Sequence, residues 1–196
     1  MRRLVVGITG ASGSIYGIRL LEILRTTTDI ELHLVISAAG KRTLVEETDW
    51  SVADVEALAH HRYDVKDIGA TLASGSFRTL GMVIAPCSIK TAGAIAACYT
   101  DGLIARAADV TLKEGRPLLL LVRETPLHVG HLRMLTSLAE TGAVILPPMP
   151  AFYNRPKELD DIVNHTVARV LDRLQLPQTL VGEWQGTTPG RPRRTV

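Results

Sequence analysis

Residues 5–24 read VVGITGASGSIYGIRLLEIL. Val5, Val6 and Ile8 suit a short buried strand, and the reading extends it over RLVVGIT, residues 3–9. Gly10, Ala11, Ser12 and Gly13 then form a turn of small residues. Ile15, Ile18, Leu21 and Leu24 follow at helical spacing. A strand, a glycine-rich turn and a helix in that order present backbone N–H groups at a helix start, an arrangement that holds phosphates.

The same alternation continues outward. ELHLVIS (31–37) reads as a second strand, followed by a helix over AAGKRTLVEET (38–48). Residues 51–60 suggest a short helix, and 69–79 a loop of small residues. GMVIAP (81–86) is a third strand, and SIKTAGAIAAC (88–98) a helix. LIARAADVTLKEG (103–115) is helical and stops at Gly115. RPLLLLV (116–122) is a fourth strand. Thr125 and Pro126 suit an N-cap and a first helical position, which predicts a helix from there to Glu140. AVILPP (143–148) is a fifth strand, MPAFYNRP (149–156) a loop, and 157–176 the last long helix. Its apolar stripe is Val163, Val167, Val170, Leu171 and Leu174. Strands alternating with helices imply α/β architecture, a mostly parallel sheet with helices on both faces.

Bulk properties narrow the field. The 196 residues suffice for one core, and the reading divides them into a single domain over 1–184 and a tail over 185–196. A net charge of +2 gives no nucleic-acid footprint, and the one dense basic run, RPRR at 191–194, lies in the Pro/Gly-rich tail. Cys87 and Cys98 lie in apolar sequence, which suggests no disulfide framework and fits a reducing compartment. Glycines cut the apolar run at the amino terminus, so it reads as a strand and not a signal peptide. No stretch is long and apolar enough to suggest a membrane span, and the cytoplasm is the default.

In a parallel sheet of this kind, ligands bind outside the carboxyl ends of the strands. There the sequence places Gly10–Gly13, Ser37, the run Ser88, Ile89, Lys90, Thr91, the group Arg123, Glu124, Thr125, and the 149–155 loop with Tyr153. Ser12, Ser88 and Thr125 each suit plain helix capping. Capping does not call for Lys90, Arg123 and Glu124 at the same edge. Gly7, Gly10 and Gly13 also match the glycine pattern of short-chain dehydrogenases. A dinucleotide site wants an acidic residue ending the second strand, and Ser37 stands there instead. The dehydrogenase string Tyr-x-x-x-Lys occurs at Tyr153 and Lys157, but Pro156 interrupts it. A mononucleotide held through one phosphate fits better.

TGASGSIYGIRLLEIL, APCSIKT, LIARAADVTLKEGRPLLLLVRETP and GAVILPPMPAFYNRP together resemble the UbiX-like flavin prenyltransferases, often called aromatic-acid decarboxylases. The resemblance runs over about residues 3–184. It implies a flavodoxin-like or Rossmann-like three-layer sandwich, in trimers assembled into dodecamers with sites between subunits. It implies transfer of a dimethylallyl group from dimethylallyl monophosphate to N5 and C6 of reduced FMN, with the product serving UbiD-like decarboxylases. FMN would fall on Gly10, Ala11, Ser12, Ser37, Ser88, Ile89, Lys90, Thr91 and Arg123. Lys113, Arg123, Tyr153 and Arg169, helped by Arg106, would hold the donor phosphate. Ser12 would relay a proton near N5, Glu124 would protonate the leaving phosphate, and Glu47 would orient it or take a proton at ring closure.

Plainer readings stand beside these. Without the resemblance Arg106, Lys113 and Arg169 are solvated helix charges, Glu47 is equally well a solvated acid, and Cys87 is a small buried hydrophobe. Asp160 and Asp161 sit in a first helical turn, where acids favour the dipole, so no metal is expected. His60, His61, His128, His131 and His165 read as surface residues. Where relatives carry an aromatic residue before the small-residue loop, this chain has Ile68 and Thr71, which leaves Trp184 as a candidate wall for the prenyl group. Two other functions suit the fold: an FMN-dependent cysteine decarboxylase and a non-enzymatic FMN carrier.

Overall fold

The strands alternate their side chains between two faces, and both faces are covered. In the computed structural model, which describes residues 1–27 and 29–182, six parallel strands form one sheet. They are β1 (Arg2–Ile8), β2 (Ile30–Ile36), β3 (His61–Tyr63), β4 (Gly81–Cys87), β5 (Leu118–Val122) and β6 (Val144–Ile145). Their order is β3-β2-β1-β4-β5-β6. Every adjacent pair is parallel. The chain runs outward from β1 in one direction, then restarts at β4 on the other side of β1. That reversal opens a crevice between the exits of β1 and β4.

Among the described residues seven helices complete the layers: α1 (Ser14–Arg25), α2 (Ala38–Glu47), α3 (Val52–Glu56), α4 (Ile89–Ala96), α5 (Leu103–Lys113), α6 (Val129–Glu140) and α7 (Leu159–Arg173). Leu4, Val6, Ile8, Leu32, Leu34, Val83 and Leu119 bury one face of the sheet against α1, α2, α3 and α7. Val5, Val35, Met82, Ile84, Leu118 and Leu120 bury the other against α4, α5 and α6. The α7 stripe of Val163, Val167, Val170, Leu171 and Leu174 lies in the first of these cores, as its spacing predicts.

Three elements depart from the sequence reading. β3 went unread because His61-Arg62-Tyr63 carries no apolar alternation and lies at the sheet's margin. α6 begins at Val129 and not at Pro126, because His128 takes the N-cap and its Nδ1 accepts from the N–H groups of Gly130 and His131 at 3.0 and 3.3 Å. β6 keeps two residues, and the prolines that follow end the ladder. Among the described residues no helix is long and apolar enough to cross a membrane. Trp184 and the 185–196 tail lie outside the described residues.

Candidate active site

Four strand exits are laced together at the carboxyl edge. Thr9, ending β1, is buried; its hydroxyl donates to Pro86 O at 2.8 Å and accepts from Ser88 N–H at 2.8 Å. Ser37 N–H donates to Ile8 O, and Arg123 N–H to Cys87 O. The loops after β1, β2, β4 and β5 therefore form one rim. Three helices start there. The Ser37 hydroxyl caps α2 by accepting from Gly40 N–H at 2.9 Å, and the Ser88 hydroxyl caps α4 by accepting from Thr91 N–H at 3.3 Å. Gly10 lets the first loop close on α2, since a Cβ there would lie 2.4 Å from Ala39 Cβ.

α1 lacks a cap of its own, and that absence organises the site. Gly13 occupies its N-cap position with φ 104° and offers no side chain. Glu47, at the end of α2, supplies the acceptor instead. Its carboxylate receives the N–H of Gly13 at 2.8 Å and of Ser14 at 3.4 Å. Partial burial pushes the Glu47 pKa up, but the Ser12 hydroxyl, the two N–H groups and the Arg123 charge together hold it below the ordinary carboxylate value. Arg123 Nε donates to Ser12 O at 3.3 Å. Ser12, Glu47 and Arg123 thus form one constellation, with Glu47 ionised, so the plain solvated-acid reading of Glu47 is displaced.

Glu124 is exposed beside Arg123 and accepts from Thr125 N–H at 3.1 Å. The Ser88 and Thr91 hydroxyls lie 3.1 Å apart in the first turn of α4, next to exposed Lys90. Cys87 is fully buried, and burial pushes its thiol up to about 12, as a packing residue requires.

The predicted phosphate residues fall elsewhere, in two groups. Tyr153 lies in the 3-10 turn Phe152–Asn154, and its hydroxyl is 3.2 Å from His165 Nε2. With Arg169, one turn beyond His165 on α7, it lines a groove of ≈ 440 Å³. Arg169 is exposed and paired with Asp172 at 3.2 Å. The second group is on α5: Arg106 pairs with Asp109 at 2.9 Å, and Lys113 with its neighbour Glu114. Lys113 ends α5 where the chain turns back to enter β5, at the amino edge of the sheet. α5 and α7 cover opposite faces, so a single chain does not bring Arg106 and Lys113 to Tyr153 and Arg169.

The surface reading of the histidines needs correction. His165 is half-buried against Tyr153, and burial followed by the Arg169 charge lowers its pKa, which keeps it neutral near neutrality. Its position four residues before Arg169, on one helix face, was a readable signal. His131 is half-buried too. His61 is indeed exposed but pairs with Glu31, and His33, not singled out from sequence, is buried beside it. Asp161 receives the N–H groups of Lys157 and Glu158 at 2.8 and 3.2 Å, so that acidic pair serves the start of α7. Tyr153 and Lys157 both precede α7, and the dehydrogenase-like string forms no helical pair.

A doubly wound parallel sheet with three helix starts, small residues and an arginine at its switch point defines a nucleotide-binding α/β protein. The Flavoprotein family model matches residues 1–171. The chain belongs to that family, and within it to the UbiX-like flavin prenyltransferases. Flavin prenyltransferase UbiX of Escherichia coli K12 is 62% identical over 188 residues, covering 95% of this chain and 100% of the relative. The crystal structure of AnUbiX (PadA1) in complex with FMN and dimethylallyl pyrophosphate superposes with TM-score 0.93 at 43% identity, covering 95% of this chain and 99% of the other. The dodecameric FMN-dependent UbiX-like decarboxylase of E. coli O157:H7 has TM-score 0.92 and 50% identity, covering 94% and 100%.

Proposed function

We infer that this chain is a flavin prenyltransferase that moves a dimethylallyl group from dimethylallyl monophosphate to N5 and C6 of reduced FMN. The observation that carries the reading is the full-length match to flavin prenyltransferases, made by a chain whose rim has the chemistry the reaction needs.

That rim fits FMN. Free N–H groups at the starts of α2 and α4, with Lys90, suit a phosphate. Small residues, Gly10, Ala11, Ser12 and Ser37, leave room for a flat ring, and Arg123 borders it. The buried Ser14 hydroxyl at the α1 start has no protein partner among the described residues, so the rim keeps a polar group to spare. Reduced FMN, when bound, supplies the nucleophilic ring.

The remaining roles belong to this chain's side chains. Glu47, held ionised, fixes the Ser12 hydroxyl and stands ready to accept a proton through it. Exposed Glu124 protonates the departing phosphate. Arg123 balances the charge that grows on that phosphate. Tyr153, Arg169, Arg106 and Lys113 complete its binding, and cations replace the magnesium that paired carboxylates would recruit. Because α5 and α7 cover opposite faces, those residues meet only when different copies meet. A homo-oligomer suits that arrangement, with trimers assembled into a dodecamer, the state named for one structural neighbour. The setting is the cytoplasm, with a UbiD-like decarboxylase as recipient. One catalytic domain over 1–184 carries the activity. The cysteine-decarboxylase alternative gains nothing: it calls for a catalytic histidine near the second strand, and α2 contains none.

Anaerobic mixing with dithionite-reduced FMN and dimethylallyl monophosphate tests the assignment. The bound flavin gains C5H8, a dimethylallyl group in place of a hydrogen, and inorganic phosphate is released. Bound FMN of unchanged mass and absorbance contradicts it.

A further inference from the structure

The margin of the sheet carries a group of ligating side chains that flavin chemistry leaves unused. Parallel register sets His33 of β2 beside His61 of β3. Residues two apart on a strand share a face, so Glu31 stands with them. The ligand atoms of Glu31, His33 and His61 all lie within 4.8 Å of one another. His61 Nε2 is 2.6 Å from Glu31 Oε1, and His33 Nε2 is 3.7 Å from the same oxygen. The two imidazoles stack at 4.7 Å.

His33 is the decisive member. It is only 2% exposed, and its Nε2 has no hydrogen-bond partner among the described residues. A buried ring nitrogen left unpaired is costly. Its other nitrogen, Nδ1, lies 2.9 Å from Tyr63 Oη, which lies 3.3 Å from Thr71 Oγ1. When Nδ1 donates to Tyr63 and Tyr63 to Thr71, Nε2 carries a bare lone pair on the Glu31 side. An imidazole whose far nitrogen is so held is oriented as metal-ligating histidines are.

We propose that Glu31, His33 and His61 form a binding site for a divalent metal ion of the zinc class, ligated by two imidazole nitrogens and one carboxylate oxygen. Mixed nitrogen and oxygen donors favour zinc and its neighbours over magnesium or calcium, which take oxygen. Bonds of about 2.0–2.1 Å in a tetrahedron set ligand atoms roughly 3.3 Å apart. His61 and Glu31 must therefore separate by about 0.7 Å, and His33 and Glu31 approach by about 0.4 Å. The ion replaces the His61 to Glu31 hydrogen bond and displaces the proton held there. Glu31 Oε2 keeps Arg3 Nε at 3.3 Å, and the Arg3 guanidinium, 4.5 Å from the Phe77 ring centroid, orients the carboxylate from outside. Three protein ligands leave the fourth position to water. His33 is four residues before Ser37, about 13 Å along the strand at the usual rise. The ion pins the three-residue strand β3 to β2 and takes no part in chemistry at the rim.

Chelator-treated full-length protein titrated with Co²⁺, then Zn²⁺, tests this. One Co²⁺ per chain binds with the intense visible absorption of four-coordinate cobalt, one Zn²⁺ displaces it, and Zn²⁺ raises the melting temperature. His61 is exposed, so His61→Ala leaves the fold intact while lowering Zn²⁺ affinity at least tenfold and removing the thermal shift; Glu31→Gln does the same. Unchanged affinity in these variants, only the weak absorption of six-coordinate cobalt, or no binding at micromolar metal overturns the proposal.

Discussion

Glu47 joins the end of α2 to the start of α1, and its charge holds the Ser12 loop in place. Glu47→Gln keeps the size and loses the charge. Single-turnover kinetics should slow by about 100-fold or more while FMN affinity changes little. The pH dependence has a definite sign. Glu47 titrates lower in the folded chain than in the unfolded one, so its stabilisation is complete above the ordinary value of about 4.3 and is lost as pH falls through the depressed value. The melting-temperature gap between wild type and Glu47→Gln should be constant near neutrality and close in acid. Thiol alkylation of the native protein at mildly alkaline pH should label exposed Cys98 and spare Cys87, whose thiol sits at about 12. Ser37, Ser88 and Arg123 were legible because each directly follows a strand, and Ser12 because it sits in the glycine-rich turn after β1. The Glu47 contact was not, since 34 residues separate it from Gly13 and only the fold unites them. His33 was hidden for the same reason, because its partner His61 lies 28 residues on, in β3; His165 was misread as a surface residue although its helical spacing to Arg169 was readable.

At the level of elements, strong periodicity was readable and weak periodicity was not. β1, β2, β4 and β5 carry continuous apolar runs, and all four were legible. β3 has none, and its place follows from pairing with β2. The start of α6 was misread because Thr125-Pro126 is a good local signal, overruled by the His128 cap three residues on. The contact between the β1 loop and α2 is the element junction that shapes the rim. Gly10→Ala drives a methyl against Ala39, which should cost about 1–3 kcal/mol in chemical denaturation and weaken FMN binding measured by fluorescence. Wild-type stability and affinity in that variant would show that the loop tolerates a wider opening.

For the whole molecule, the two-faced sheet decides how a phosphate site can be built. Arg106 and Lys113 belong to a helix on one face and Arg169 to a helix on the other, with Tyr153 in the groove beside it. Lys113→Ala and Arg169→Ala assemblies should each lose most turnover. Assemblies that mix the two variants should recover part of it, because some sites then draw an intact Lys113 and an intact Arg169 from different copies. A site contained in one chain would show no recovery. A crystal structure of the assembly with FMN and dimethylallyl monophosphate tests the central claim most directly. The isoalloxazine should lie on the rim within hydrogen-bonding distance of Ser12 and Arg123, with Tyr153 and Arg169 of another copy on the phosphate. A flavin bound away from the exits of β1 and β4, or a phosphate that neither residue touches, would contradict the account.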